Sequence, residues 1–168
     1  MRTASVPAYV GVGANLDQPR ERVEQGIEAL RSLPATQLAA RSSLYASAPV
    51  DAPGPDYVNA VVALRTTLGA HALLQALHGI EARFGRERSV RNAPRTLDLD
   101  LLLYDDLRSD VPALRLPHPR LHQRAFVLRP LLEIAPQLEA PGLGPLAAYL
   151  ERVQDQPIRR IDPDQTAE

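Results

Sequence analysis

The chain of 168 residues contains no cysteine, no tryptophan and no lysine, so all nineteen of its basic residues are arginine. Without cysteine there is no disulfide scaffold, thiolate nucleophile or thiolate metal site, and a cytoplasmic setting fits. Without lysine the chain cannot supply the Gly-Lys-Ser/Thr phosphate loop or the strand lysine of protein kinases, whose His-Arg-Asp motif is missing too. Aromatics are scarce, with two Phe and five Tyr, and no strand carries the basic-aromatic run on which RNA bases stack. A net charge of −1 also argues against a general polyanion binder, so no nucleic-acid partner is expected. No apolar run approaches the ~20 residues of a membrane helix, and residues Met1 to Pro7 form no apolar signal core, so neither a membrane partner nor secretion is expected. What remains is ordinary for a globular protein, 45% hydrophobic and 23% charged, and the length suits one domain over residues 1–168.

The densest chemical signal is Pro94-Arg95-Thr96-Leu97-Asp98-Leu99-Asp100-Leu101-Leu102-Leu103-Tyr104. If Leu97 to Tyr104 is extended, Asp98 and Asp100 share one face while Leu97, Leu99 and Leu101 share the other. Two ionised carboxylates side by side on a buried strand need a counter-charge, because desolvation and mutual repulsion both oppose them. A hard divalent cation such as Mg2+ supplies one, and an i, i+2 pair at a strand edge suits two ions roughly 3.5–4 Å apart. The alternative is an amphipathic edge strand with solvated aspartates; the leucine face and the apolar run that follows point instead to burial.

Five arginines (Arg83, Arg86, Arg88, Arg91, Arg95) fall in the thirteen residues just before this pair. Guanidinium groups ahead of metal-binding carboxylates are what transfer from a magnesium nucleotide requires, since the charge on the phosphates is the main obstacle. A solvated basic face is the competing reading.

Elements can be placed around this centre. Ala8 to Ala14 reads as a strand; Gly11 and Gly13 lack the third glycine of a dinucleotide fingerprint, where Leu16 stands, and suit close packing or a ligand-facing floor. A helix follows, with Asp17 as its cap, Pro19 in its first turn and Val23, Ile27 and Leu30 on one face. An extended segment over 36–47, a Pro-rich loop and a strand over 57–64, with Tyr57, Asn59 and Val61 on one face, lead to a second helix through Leu73, Leu74, Leu77, Ile80 and Phe84. The order is β-α-β-β-α-β, an α+β, ferredoxin-like core sheet with helices on its faces. A C-terminal helical extension is expected around 123–132 and 145–153, after a short extended Leu114-Arg115-Leu116, with a frayed polar tail over about 155–168.

Four stretches in order, Gly13-Ala14-Asn15-Leu16, Pro55-Asp56-Tyr57-Val58-Asn59-Ala60, Arg95-Thr96-Leu97-Asp98-Leu99-Asp100, and Pro117-His118-Pro119-Arg120 followed by Arg124-Ala125-Phe126-Val127-Leu128, resemble the 6-hydroxymethyl-7,8-dihydropterin pyrophosphokinases of folate synthesis. The resemblance covers nearly the whole chain, and its aspartate segment is specific to that family. It implies transfer of the pyrophosphoryl group of ATP to the hydroxymethyl group of 6-hydroxymethyl-7,8-dihydropterin, with AMP as the other product. It implies that Asp98 and Asp100 hold two Mg2+ ions, and that Arg86 and Arg95 act on the triphosphate as catalytic residues. By the same resemblance Glu81, Arg88, Arg91, Leu101, His118 and Arg124 bind ATP, while Ser47, Ala48, Val50, Tyr57, Asn59 and Phe126 bind the pterin. Segments 49–56 and 85–94 are similar to loops that close over substrates, and a monomer is implied. The chain departs from the usual pattern at Ala14 in place of Ser, Asn92 in place of Trp, Ala93 in place of Gly and Pro119 in place of an aromatic, with an arginine loop one residue shorter. A catalytically silent magnesium-nucleotide or pterin-binding module of the same fold is the alternative.

Overall fold

Small and β-branched residues alternate through the first apolar segment and make it the central strand β1 (Val6–Ala14), which buries Ala8, Val10, Val12 and Ala14 toward one face of the sheet. The computed structural model describes residues 4–15, 18–48, 56–85 and 97–161. Helix α1 (Pro19–Arg31) has Pro19 in its first turn and buries Val23, Gly26, Ile27 and Leu30. Its N-cap is Gln18, in the left-handed region at φ 60 and without a side-chain cap bond; the expected cap, Asp17, lies outside the described residues.

The extended segment over 36–47 is two strands. β2 (Thr36–Arg41) and β3 (Tyr45–Ser47) pair with opposite ends of β4 (Tyr57–Thr66), and Ser42 makes the break. The Ser42 N–H donates to the Val61 carbonyl at 2.9 Å, and its Oγ accepts the Val61 N–H, also at 2.9 Å. A hydroxyl thus takes the place of a backbone carbonyl, so the chain bends without orphaning a buried donor.

Helix α2 (Ala70–Gly85) buries Leu73, Leu77 and Ile80 of the stripe its spacing implied, leaves Leu74 and Phe84 half-buried at its margin, and leads to β5 (Asp98–Tyr104). Next come the hairpin of β6 (Ser109–Val111) and β7 (Leu114–Leu116), helix α3 (Ala125–Ile134) and the short pair β8 (Glu139–Ala140) and β9 (Gly144–Pro145). A 3₁₀ helix (Leu146–Val153) and β10 (Ile158–Arg160) follow.

Among the described residues the main sheet runs β10-β3-β4-β1-β5, with β2 on the other half of β4, and every pairing is antiparallel. β1 and β2 are therefore parallel with β4 between them, and β4 and β5 are parallel with β1 between them. This is the split arrangement of a ferredoxin-like α+β fold. Helices α1 and α2 cover one face through Val23, Ile27, Leu30, Leu73, Leu77 and Ile80. Helix α3 covers part of the other through Val127, Leu128 and Leu131, against Val61, Leu102 and Leu103. A bulge in β5 makes this possible: Tyr9 pairs with Leu103 and Val10 with Leu101, so Leu102 is extra and two successive leucines serve the α3 side.

The tail departs from the expected frayed end. Ile158 to Arg160 pair with Ser47 to Tyr45, and the Ile161 N–H donates to the Leu44 carbonyl at 2.8 Å. The edge of β3 presents unpaired backbone groups, and Ile158 and Ile161 bring apolar area to both cores, which together outweigh the polarity of the segment. Residues 162–168 lie outside the described residues.

Candidate active site

The face of the sheet opposite α1 and α2 is only half covered, and the uncovered half is a cavity of about 670 Å³. Gly11 and Gly13 form its floor. In the sheet register Gly13 lies between Asn59 on β4 and Asp98 on β5, and Gly11 lies between Val61 and Asp100. Two strand positions without side chains thus separate an amide from a carboxylate pair. The approach is close: a Cβ on Gly13 would stand 2.8 Å from Asn59 Oδ1. Asn59 itself is buried and its Nδ2 donates to Ser47 Oγ at 2.9 Å, which fixes the orientation of the amide. Ala48 and Tyr57 continue this wall.

Helix α3 and the segment leading into it supply the opposite wall with Arg120, Gln123, Arg124, Phe126 and Val127, joined by Gln156 from the tail. The Arg124 guanidinium lies 5.3 Å from the centre of the Phe126 ring, a cation–π contact. Burial, and then the charge of Arg120, push Arg124 below the usual arginine range, while Asp100 opposes them. Two guanidinium groups facing one cavity repel each other, and an anion between them would relieve that repulsion.

His118 does not line the cavity but lies within electrostatic reach of Asp100, Arg124 and Arg120. Its N–H donates to the Leu102 carbonyl at 2.9 Å and its Nδ1 accepts the Arg120 N–H at 3.1 Å; the preceding Leu116–Pro117 bond is cis. Burial lowers the His118 pKa below the ordinary value, with Arg124 and Arg120 adding to the shift and Asp100 opposing it.

Of the residues the sequence singles out, Ser47, Ala48, Tyr57, Asn59, Asp98, Asp100, Arg124 and Phe126 meet at this cavity. The paired aspartates do share its face, Asp98 half-buried and Asp100 exposed, with Leu99 and Leu101 buried on the reverse side. The Leu101 side chain belongs to the core under α1 and α2. Glu81, at the end of α2, accepts the Leu99 N–H at 2.8 Å and so ties that helix to the aspartate strand. Val50, Arg86, Arg88, Arg91 and Arg95, and most of the two loops expected to close over substrates, lie outside the described residues.

Arg120, Gln123 and Gln156 also line the cavity, and the family resemblance implies no role for them. Arg120 stands in the Pro-His-Pro-Arg stretch and was open to recognition there; Gln156 lies in a polar tail with no periodic signal.

The donor set fits magnesium. Among the described residues no three acidic or histidine side chains cluster, but Mg2+ is commonly held by one or two carboxylates with phosphate oxygens and water completing the octahedron. Asp98 and Asp100 supply such a pair at the rim of a cavity wide enough for a nucleotide.

Fold and cavity together define the class: a ferredoxin-like α+β protein whose ligand site lies on the less covered face of the sheet, with paired carboxylates opposite guanidinium groups. The chain belongs to the 7,8-dihydro-6-hydroxymethylpterin-pyrophosphokinase (HPPK) family, which it matches over residues 9–136. It is 47% identical over 154 residues to the 2-amino-4-hydroxy-6-hydroxymethyldihydropteridine pyrophosphokinase of Pseudomonas aeruginosa, covering 91% of this chain and 95% of that protein. The protein of the same name from Haemophilus influenzae is 37% identical over 159 residues, with 94% and 99% covered. Among solved structures, wild-type Plasmodium falciparum HPPK-DHPS with pterin and p-hydroxybenzoate has the same fold at a TM-score of 0.70 and 12% identity; 93% of this chain is covered, and it spans 44% of that longer one.

Proposed function

We propose that this chain transfers the pyrophosphoryl group of ATP to the hydroxymethyl oxygen of 6-hydroxymethyl-7,8-dihydropterin, a step of folate biosynthesis. The hydroxymethyl oxygen forms a bond to the β-phosphorus while the bond from that phosphorus to the oxygen of the leaving AMP breaks, and the hydroxyl proton is released. The observation that carries this reading is the row Asn59, Gly13, Asp98 across three adjacent strands. An amide suited to the donor–acceptor edge of a pterin and a carboxylate suited to a magnesium triphosphate stand about 10 Å apart, two strand spacings. That is the reach of a pterin ring with its hydroxymethyl arm.

In this reading Asn59, held by Ser47, reads the ring edge, and the backbone of Ser47 and Ala48 extends the contact. Tyr57 and Phe126 enclose the ring. Arg124 and Arg120 fork onto phosphate oxygens, Arg88 and Arg91 help hold ATP, and Arg86 and Arg95 act on the triphosphate during transfer. Glu81, His118 and the backbone of Leu101 serve the nucleotide end. Asp98 and Asp100 would hold two Mg2+ ions, which neutralise phosphate charge when bound with ATP. Val50 belongs to the pterin side. The enzyme is a cytoplasmic monomer with one domain over residues 1–168.

The test is AMP formation from ATP, Mg2+ and the pterin, with the pterin omitted in parallel. AMP that requires the pterin and falls at least about a thousandfold in Asp98→Ala is the expected outcome, in line with loss of a transition-state charge contact of ~4 kcal/mol. ATP and pterin binding without AMP would turn the reading to a silent binding module.

A further inference from the structure

Gln156 is tied to the cavity wall in a way that its position in the tail gives no reason to expect. Its Oε1 accepts the Ala125 N–H at 2.8 Å, and its Nε2 donates to the Gln123 carbonyl at 3.0 Å. One side-chain amide thus spans both backbone groups that flank Arg124, at the point where α3 begins. The Ala125 N–H is one of the first donors of that helix and has no partner within it, and the N-cap residue Arg124 makes no side-chain cap bond. Gln156 supplies the missing cap from thirty-one residues away.

The amide is itself held in place. Val153 is buried on one side, the Gln156 N–H donates to the Val153 carbonyl at 3.0 Å, and two residues on Ile158 pairs with Ser47. The short tail therefore bridges the two walls of the cavity, the Ser47 strand and the Arg124–Phe126 segment. Residue 156 also lies beyond the 9–136 span by which the family is matched.

We propose that Gln156 is a positioning residue: it fixes the backbone on either side of Arg124 and so sets where the Arg124 guanidinium and the Phe126 ring meet the substrates. The inference rests on the pyrophosphoryl-transfer reading for what those substrates are. Gln156→Met keeps the length of the side chain and removes both hydrogen bonds. A segment that has lost its cap samples other orientations, and Arg124 then spends less time in register with phosphate.

The experiment is a double-mutant cycle with Gln156→Met and Arg124→Ala, read as kcat and KM for ATP and pterin, with an unfolding midpoint for each variant. Gln156→Met is expected to lower kcat/KM about tenfold in the otherwise natural enzyme, and less than twofold once Arg124 is already alanine. Arg159→Ala, an exposed substitution on the same tail, is expected to match the natural enzyme. Equal losses in both backgrounds would reduce Gln156 to a purely structural role and overturn the proposal, as would unchanged kinetics in Gln156→Met. If Gln156→Met does not fold, the same cycle is read on Gln156→Glu, which keeps the acceptor for the Ala125 N–H and loses the donor to Gln123. Absence of AMP from the natural enzyme would overturn the functional reading and this inference together, whereas AMP with no coupling overturns this inference alone.

Discussion

At Gly13 the lack of a side chain is a steric requirement of the amide beside it. A Cβ there would lie 2.8 Å from Asn59 Oδ1, inside any van der Waals contact, and Asn59 cannot retreat because Ser47 Oγ and its own burial hold it. Gly13→Ala is therefore expected to force the amide off Ser47, lowering fold stability measurably and weakening pterin binding about tenfold, the equivalent of one hydrogen bond of ~1.4 kcal/mol. Fluorescence titration with the pterin checks this; unchanged affinity would remove Asn59 from the recognition of the ring. A second residue-scale expectation concerns Glu133, outside the site. Burial would raise its pKa, but hydrogen bonds from Tyr45 Oη, Ser43 N–H and Ser43 Oγ, with Arg160 nearby, bring it below the ordinary 4.5. A depressed carboxylate stabilises the fold above its unfolded pKa, and that stability is lost as pH falls through the folded value. Urea unfolding should show the difference between the natural protein and Glu133→Gln shrinking as pH drops below 4.5. The partner Tyr45 is pushed up to about 12 by burial first and then by Glu133, so its contribution is present below pH 10 and disappears as pH rises toward 12.

Among the elements, the packing of α1 on β1 and on Leu97, the residue before β5, shows how packing reaches the aspartates. Gly26 lets the helix lie close to the strand: a Cβ there would meet both Leu97 methyl groups at 3.0 Å and Val12 at 3.4 Å. Gly26→Val is expected to destabilise the protein by ~1–3 kcal/mol, the usual cost of overpacking, and to disturb Leu97 next to Asp98. A lowered urea midpoint with reduced activity at temperatures where the variant is folded would meet this expectation. Elements were the scale at which the sequence read best. Helical spacing marks Val23, Ile27 and Leu30, and Leu73, Leu77 and Ile80, which are buried, while Leu74 and Phe84 of the second stripe are only half-buried, because one narrow apolar stripe per helix suffices to cover one face of a sheet. The break at Ser42 and the bulge at Leu102 were not legible, since each depends on the strand lying alongside.

For the whole molecule, the last strand closes onto the first half of the sheet. Deleting residues from Ile158 onward would bare the edge of β3 and lose the apolar contacts of Ile158 and Ile161. A loss of ~2–4 kcal/mol follows from burying two such side chains, and denaturant unfolding of the shortened chain would reveal it; an unchanged midpoint would mean that β3 is secure without the tail. The sequence by itself determined the β-α-β-β-α-β order, the helix faces and the shared side of Asp98 and Asp100, because periodicity and alternation are local properties of the chain. Only the tertiary structure decided that Gly13 lies between Asn59 and Asp98 and that Leu102 bulges out of register toward α3. It likewise decided that a glutamine from a polar tail caps the helix behind Arg124. Those relations join residues many positions apart, and the free energy that selects them comes from burial and hydrogen bonding across strands, which no local pattern encodes.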